Sequence, residues 1–197
     1  LKRVIAFFDF DGTVTMKDTL LEFIKFSKGS LRFYLGFLIN SPILVAYKIG
    51  IISNQIAKEW MLRYFFSGKS LESFQQQCDL FAEQVLPSLL RSKAITEINK
   101  LKEFGADVVI VSASAENWIK KWTDSLNLQL LATRLATKNE KITGKINGKN
   151  CHGPEKVSRI KEKFNLADYS DIYCYGDTAG DKPMLDLGSI KFYKPFR

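Results

Sequence analysis

The run Asp9-Phe10-Asp11-Gly12-Thr13 sets two carboxylates two residues apart, directly after the apolar stretch Val4 to Phe8. One carboxylate at such a position can attack phosphorus and form an aspartyl phosphate. A second, on the same side, can protonate the leaving oxygen and later take a proton from water. Asp9 is read as the nucleophile, and Asp11 as the acid and then the base. Gly12 and Thr13 add a tight turn with backbone N–H donors suited to phosphoryl oxygens. Asp-Gly alone would be an ordinary turn; its place after an apolar run gives it meaning.

Asp177 and Asp181 lie in Gly176-Asp177-Thr178-Ala179-Gly180-Asp181, again after an apolar run, Ile172 to Tyr175. Carboxylates converging there with Asp9 would repel a dianionic phosphate. A divalent cation resolves the conflict, and oxygen ligands with water suit Mg²⁺. Ser112 ends a third apolar run, Val108 to Val111, and offers a hydroxyl to a phosphoryl oxygen. Lys156, after Gly153-Pro154, can neutralise charge on the phosphoryl group in the transition state. Taken singly, Ser112 reads as a loop serine and Lys156 as a solvated charge; their order relative to the aspartates makes them candidates.

Three apolar runs that each end on a polar residue read as strands buried on both faces. Helical patterns separate them: Leu89 to Phe104 ending at Gly105, Glu116 to Leu126, and Glu155 to Phe164. That alternation predicts an α/β fold with a Rossmann-like, doubly wound parallel sheet, whose ligands bind at the carboxyl edge. Two segments interrupt it. Residues 16–88 read as an inserted helical cap with helices Thr19 to Ser27, Leu31 to Ile39, Ile43 to Ile49, Asn54 to Tyr64 and Leu71 to Val85. Breaks are expected at Gly29-Ser30, Ser41-Pro42, Gly50 and Ser67-Gly68. Residues 1–15 and 89–197 then make the core. The second interruption, Leu131 to Asn150, reads as a β-hairpin.

Composition, 46% hydrophobic and 25% charged, is that of a folded globular protein. The net charge of +8, from 29 Lys+Arg against 21 Asp+Glu, favours anionic partners. The basic residues are scattered, which disfavours nucleic acid. Cys78, Cys151 and Cys174 fit neither a disulfide framework nor a zinc site, and Cys151-His152 reads as a loop pair. Reduced thiols and the absence of a signal-peptide pattern point to the cytoplasm. The chain begins at Leu1, so residues upstream are not excluded.

No Asp or Glu occurs between Glu22 and Glu59, while Lys25, Lys28, Arg32, Lys48 and Lys58 all fall there. The apolar stretches in this segment are too short for a membrane span once the break at Ser41-Pro42 is allowed for. Two readings stay open: a helical cap with an apolar core and solvated basic rim, which is favoured, or peripheral contact with an anionic lipid surface.

With its four motifs in order, the chain resembles the haloacid dehalogenase superfamily. A helical insert directly after the first motif is similar to the C1-cap branch, subfamily IB, which includes phosphoserine phosphatase. The resemblance covers essentially the whole chain. It implies Mg²⁺ held by the Asp9 carboxylate, the Asp11 backbone carbonyl and Asp177, with Asp181 holding a metal water or orienting Lys156. Asp11 points to phosphoryl transfer, because dehalogenases proper lack this second aspartate. The phosphoserine phosphatase pattern also implies that Asp18 meets the substrate, in place of a glutamate. It likewise assigns phosphate contacts to Ala113 and Ser114, where that pattern has two glycines. Some IB-type relatives resemble phosphatidylglycerophosphatase.

The expected activity is Mg²⁺-dependent hydrolysis of a small phosphorylated metabolite. The alternatives are a lipid phosphate phosphatase, a phosphomutase using the same aspartates, and a phosphorylatable signalling module of the receiver type.

Overall fold

The computed structural model describes residues 3–197; Leu1 and Lys2, expected in the core, lie outside them. The described strands are β1 (Arg3–Phe8), β2 (Asp107–Ala115), β3 (Gln129–Thr133), β4 (Leu135–Lys138), β5 (Lys141–Ile146), β6 (Tyr169–Gly176) and β7 (Ile190–Tyr193). Five of them form a parallel sheet in the order β3-β2-β1-β6-β7. The sheet is doubly wound from β1 outwards, as expected.

β1 is apolar throughout because it is covered on both faces. Ile5 and Phe7 pack with Val109, Cys174, Ile160 of helix α8 (Pro154–Lys163) and Met184 of the short helix α9 (Lys182–Leu185). Ala6 and Phe8 face the other way. They join Ile98 of α6 (Ser92–Glu103) and Trp118 and Ile119 of α7 (Glu116–Ser125). The period-2 alternation of a strand thus sorts one continuous apolar run into two layers. Register aligns Phe8 with both Ile110 and Tyr175, so β1, β2 and β6 bring their following residues to one edge.

Between β1 and β2 lie α1 (Thr19–Lys28), α2 (Ser30–Lys48), α3 (Asn54–Phe66), α4 (Leu71–Gln84) and the short α5 (Leu86–Leu89). Side-chain caps start three of them: Asp18, Ser53 and Ser70 accept from Leu21, Ile56 and Ser73 N–H. The outgoing and returning chains pair where they leave the sheet. Met16 N–H donates to Leu89 O at 2.8 Å, and Arg91 N–H to Val14 O at 2.8 Å. Phe23 of α1 stacks on Trp118 with ring centroids 5.1 Å apart and meets Phe66, Phe74 and Phe81 edge-on or stacked. One aromatic cluster therefore joins the inserted helices to the sheet layer.

Four expectations are corrected. The break at Ser41-Pro42 does not occur, and α2 is one helix of 19 residues. Pro42 has no N–H for Leu38 O, but the Ser41 hydroxyl donates to that carbonyl at 2.8 Å. β2 does not end at Ser112; it continues to Ala115, with an irregular register against β3 after Ser112. The helix expected from Leu89 starts at Ser92, since Leu89 ends α5 and Leu90 and Arg91 are extended where they meet the outgoing chain. Leu131 belongs to β3 of the main sheet, and the hairpin proper is β4–β5. That hairpin docks on the insert: Gly68 N–H donates to Ile142 O and Ile142 N–H to Lys69 O.

Candidate active site

Asp9 follows β1 and is buried, with its N–H bonded to Tyr175 O of β6 at 2.9 Å. Lys156, in the first turn of α8 and 1% exposed, reaches across to it. Its Nζ lies 2.5 Å from Asp9 Oδ1 and 2.7 Å from Asp181 Oδ1. Asp181 is fixed in turn, because its Oδ2 accepts Thr178 N–H at 2.9 Å, Thr178 Oγ1 at 2.8 Å and Asp177 N–H at 3.2 Å. Among the described residues, no hydrogen bond engages Asp9 Oδ2.

Burial dominates the electrostatics of this cluster. It pushes the Asp9 carboxyl up to about 7 against the pull of Lys156, with Asp181 and Asp11 adding to the rise. Burial alone would lower the Lys156 ammonium, but Asp9 and Asp181 outweigh it and hold the lysine charged. Asp181 goes the other way: burial would raise it, and Lys156 with the Thr178 hydrogen bonds brings it below the usual carboxylate range.

Asp9, Asp177 and Asp181 each offer an oxygen within 4.8 Å of the others. Three buried carboxylates against one buried amine leave excess negative charge, and an all-oxygen set fits a hard divalent cation. Asp177 is further contacted by Thr13 Oγ1, at 3.3 Å from its Oδ1, and by the Arg197 guanidinium on its Oδ2. Gly12 is required beside it. Its φ is +88°, and a Cβ there would fall 2.6 Å from Asp177 Oδ2.

Asp11 lies in the turn after Asp9 and is tied to the insert. Its Oδ1 accepts Thr19 N–H at 2.7 Å and Thr19 Oγ1 at 2.6 Å, and its Oδ2 lies 3.3 Å from Ser112 Oγ. Trp118 Nε1 donates to Thr19 Oγ1 at 3.1 Å, and Ser114 Oγ is 3.0 Å from the same atom. Ser112 Oγ also accepts Ser114 N–H at 2.9 Å.

All the expected residues fall around this edge of the sheet, though some contact it differently. Asp18 caps α1 through Leu21 N–H. Ser114 is buried against Thr19, and Ala113 turns its carbonyl to Lys58 Nζ at 2.8 Å. Lys58, on α3, is a site residue that the motifs missed. Burial lowers its ammonium, with Asp18 and Asp11 opposing. A signal existed: Lys58 shares a helical face with Met61, Leu62 and Phe65, all buried, where a charge is out of place. Thr19 and Arg197 were also missed; neither stands in a recognisable motif.

The haloacid dehalogenase-like hydrolase family profile matches residues 6–186. The chain is 35% identical over 196 residues to the protein CicA of Caulobacter vibrioides, covering 98% of this chain and 87% of that one. It is 27% identical over 202 residues to a probable phosphatase of Mycobacterium tuberculosis, covering 99% and 70%. Its fold is similar to a phosphoserine phosphatase solved as a phospho-aspartyl intermediate analogue. That likeness has a TM-score of 0.64 and 21% identity over 97% of this chain and 86% of that one. The chain belongs to the haloacid dehalogenase-like hydrolase family and is a phosphatase-like enzyme within it.

Proposed function

We propose that the protein hydrolyses a phosphate monoester of a small metabolite through a phosphoryl group carried on Asp9. The observation that carries this reading is the Lys156 bridge. Lys156 occupies Asp9 Oδ1, and Oδ2, which no hydrogen bond engages among the described residues, serves as the attacking oxygen. Asp9 Oδ2 forms a bond to phosphorus as the bond to the leaving oxygen breaks, and Asp11 donates the proton that the leaving oxygen takes up. Water then attacks phosphorus, Asp11 accepts its proton, and the bond to Asp9 breaks to release phosphate. Lys156 and the Ser112 hydroxyl, with backbone N–H groups of the Asp11–Thr13 turn, hold the phosphoryl oxygens as charge shifts among them.

Mg²⁺ would be held by the Asp9 carboxylate, the Asp11 carbonyl and Asp177, with Asp181 beside it, and would neutralise charge on the phosphoryl group. In this reading residues 16–88 are the cap. The paired segments at Met16 and Leu89 are its two-stranded hinge. The cap brings Asp18 and Lys58 to the mouth of the site, where Lys58 adds a cation that favours a phosphorylated substrate.

The test is a phosphate-release screen across sugar, amino-acid, nucleotide and lipid phosphates, with and without Mg²⁺. Mg²⁺-dependent release that Asp9→Asn abolishes is the expected result. Isomerised product without free phosphate, or a phosphoprotein stable for hours, would replace this reading with a mutase or a signalling module.

A further inference from the structure

The solvent face of α2 is apolar along its length. Leu31, Tyr34, Leu35, Leu38, Ile39 and Val45 are all exposed, Leu31 at 75% and Leu38 at 71%. The opposite face is held down at Gly36 and Asn40, the only two buried residues of the helix. A Cβ at Gly36 would run into the Phe65 ring of α3. A surface helix ordinarily turns a polar face to water, whereas the exposed charges of α2, Arg32 and Lys48, stand only near its ends. On α3, Ile56, Trp60 and Tyr64 stand four residues apart and are exposed too. Trp and Tyr suit a boundary with an apolar side and a wet side.

The charge around this face has one sign. No Asp or Glu lies between Glu22 and Glu59, and Lys25, Lys28, Arg32 and Lys48 flank the apolar strip. Glu59 is turned inward, its Oε1 accepting Ile146 N–H at 3.0 Å and Gln55 Nε2 at 3.2 Å. A groove of about 410 Å³ runs between α2 and α3, with Lys28 and Arg32 beside Leu35, Ile39, Tyr64 and Phe65. Burial, with Lys69 and Arg32 nearby, lowers the Lys28 ammonium, so the positive charges there are crowded.

Cations beside apolar side chains match a phospholipid, with its phosphate headgroup and acyl chains. A second copy of this chain would instead set cation against cation, with no acid in the segment to answer them. An acidic bilayer carries the complementary charge. α2 is long and apolar enough to cross a membrane, but α1 and α3 both pack on it. A helix so held lies along a surface.

We propose that α2 and the exposed edge of α3 form a docking face for an anionic phospholipid bilayer, with α2 in the plane of the interface. The proposal is independent of the phosphatase reading.

The test is co-sedimentation of the chain with vesicles of phosphatidylcholine alone and of phosphatidylcholine mixed with phosphatidylglycerol. The chain should pellet with the mixed vesicles at low salt, and less as salt rises. Leu31→Glu/Leu38→Glu and Arg32→Glu/Lys48→Glu should each weaken that binding by about tenfold or more. Both pairs are exposed, so circular dichroism melting should match the wild type. Failure to pellet with mixed vesicles, equal pelleting with neutral ones, or wild-type binding by both variants would overturn the proposal. So would a pellet that resists alkaline carbonate, which marks a crossing helix. A dimer in sedimentation velocity that Leu31→Glu/Leu38→Glu dissolves would assign the face to self-association and equally overturn it.

Discussion

Thr19 gives Asp11 Oδ1 two hydrogen bonds, from its N–H at 2.7 Å and its hydroxyl at 2.6 Å. The second aspartate of the Asp-x-Asp motif is thus oriented by the first residue of α1. Trp118 extends the link to α7 by donating to the same hydroxyl. The inserted helices therefore orient Asp11, the residue proposed for proton transfer, directly.

Thr19→Val removes the hydroxyl and keeps the size. It should lower kcat by about tenfold or more and leave KM little changed, because general acid–base catalysis depends on position. Thr19→Ser should recover most of the loss. Thr19→Val also leaves the Trp118 N–H unpartnered, at a cost of about 1–3 kcal/mol in a urea titration. A variant with unaltered kcat would separate Asp11 from the proton transfers.

Lys156 is the sole buried cation between Asp9 and Asp181 in the described site. Lys156→Met should abolish turnover and destabilise the metal-free protein by about 3–5 kcal/mol, since it strands two carboxylates in a buried site. Adding Asp181→Asn should restore part of the stability and none of the activity. Thermal melting paired with phosphate release reads both effects.

Stability of the metal-free protein should also carry a pH signature from Asp9. Burial raises its carboxyl from 3.8 to about 7, so the folded chain holds that proton more tightly than the unfolded one. The contribution is complete below about pH 4 and lost as pH rises through about 7. The wild-type unfolding free energy, taken relative to Asp9→Asn, should therefore fall over that window. A flat difference would mean that Lys156 already keeps Asp9 ionised.

Much of the candidate site was legible in the chain itself. Asp9, Ser112 and Asp177 each follow an apolar run, and parallel strands deliver such residues to one edge. What stayed hidden depends on distant partners. Arg197 meets Asp177 only because the chain after β7 returns to the site. Lys58 reaches Ala113 across the gap between α3 and β2. The continuity of α2 turned on Ser41 serving a carbonyl that Pro42 cannot, which local propensity does not register. Its apolar outer face was legible only as the less favoured of the two readings of the acid-free segment, since a broken segment would have folded back on itself.

Magnesium should raise the melting temperature of the wild type by mass action. Asp177→Asn should remove that rise, as one of the three carboxylates whose oxygens lie within 4.8 Å is lost. Chelation should stop phosphate release, and readdition should restore it. A magnesium response unchanged in Asp177→Asn would place the ion elsewhere.

The most direct measurement is mass spectrometry of the Asp9-containing peptide after acid quench during turnover. A phosphoryl group on that peptide in the presence of Mg²⁺ and substrate, absent from Asp9→Asn, is the predicted result. Phosphate release without any phosphorylated Asp9, or at the wild-type rate in Asp9→Asn, would contradict it.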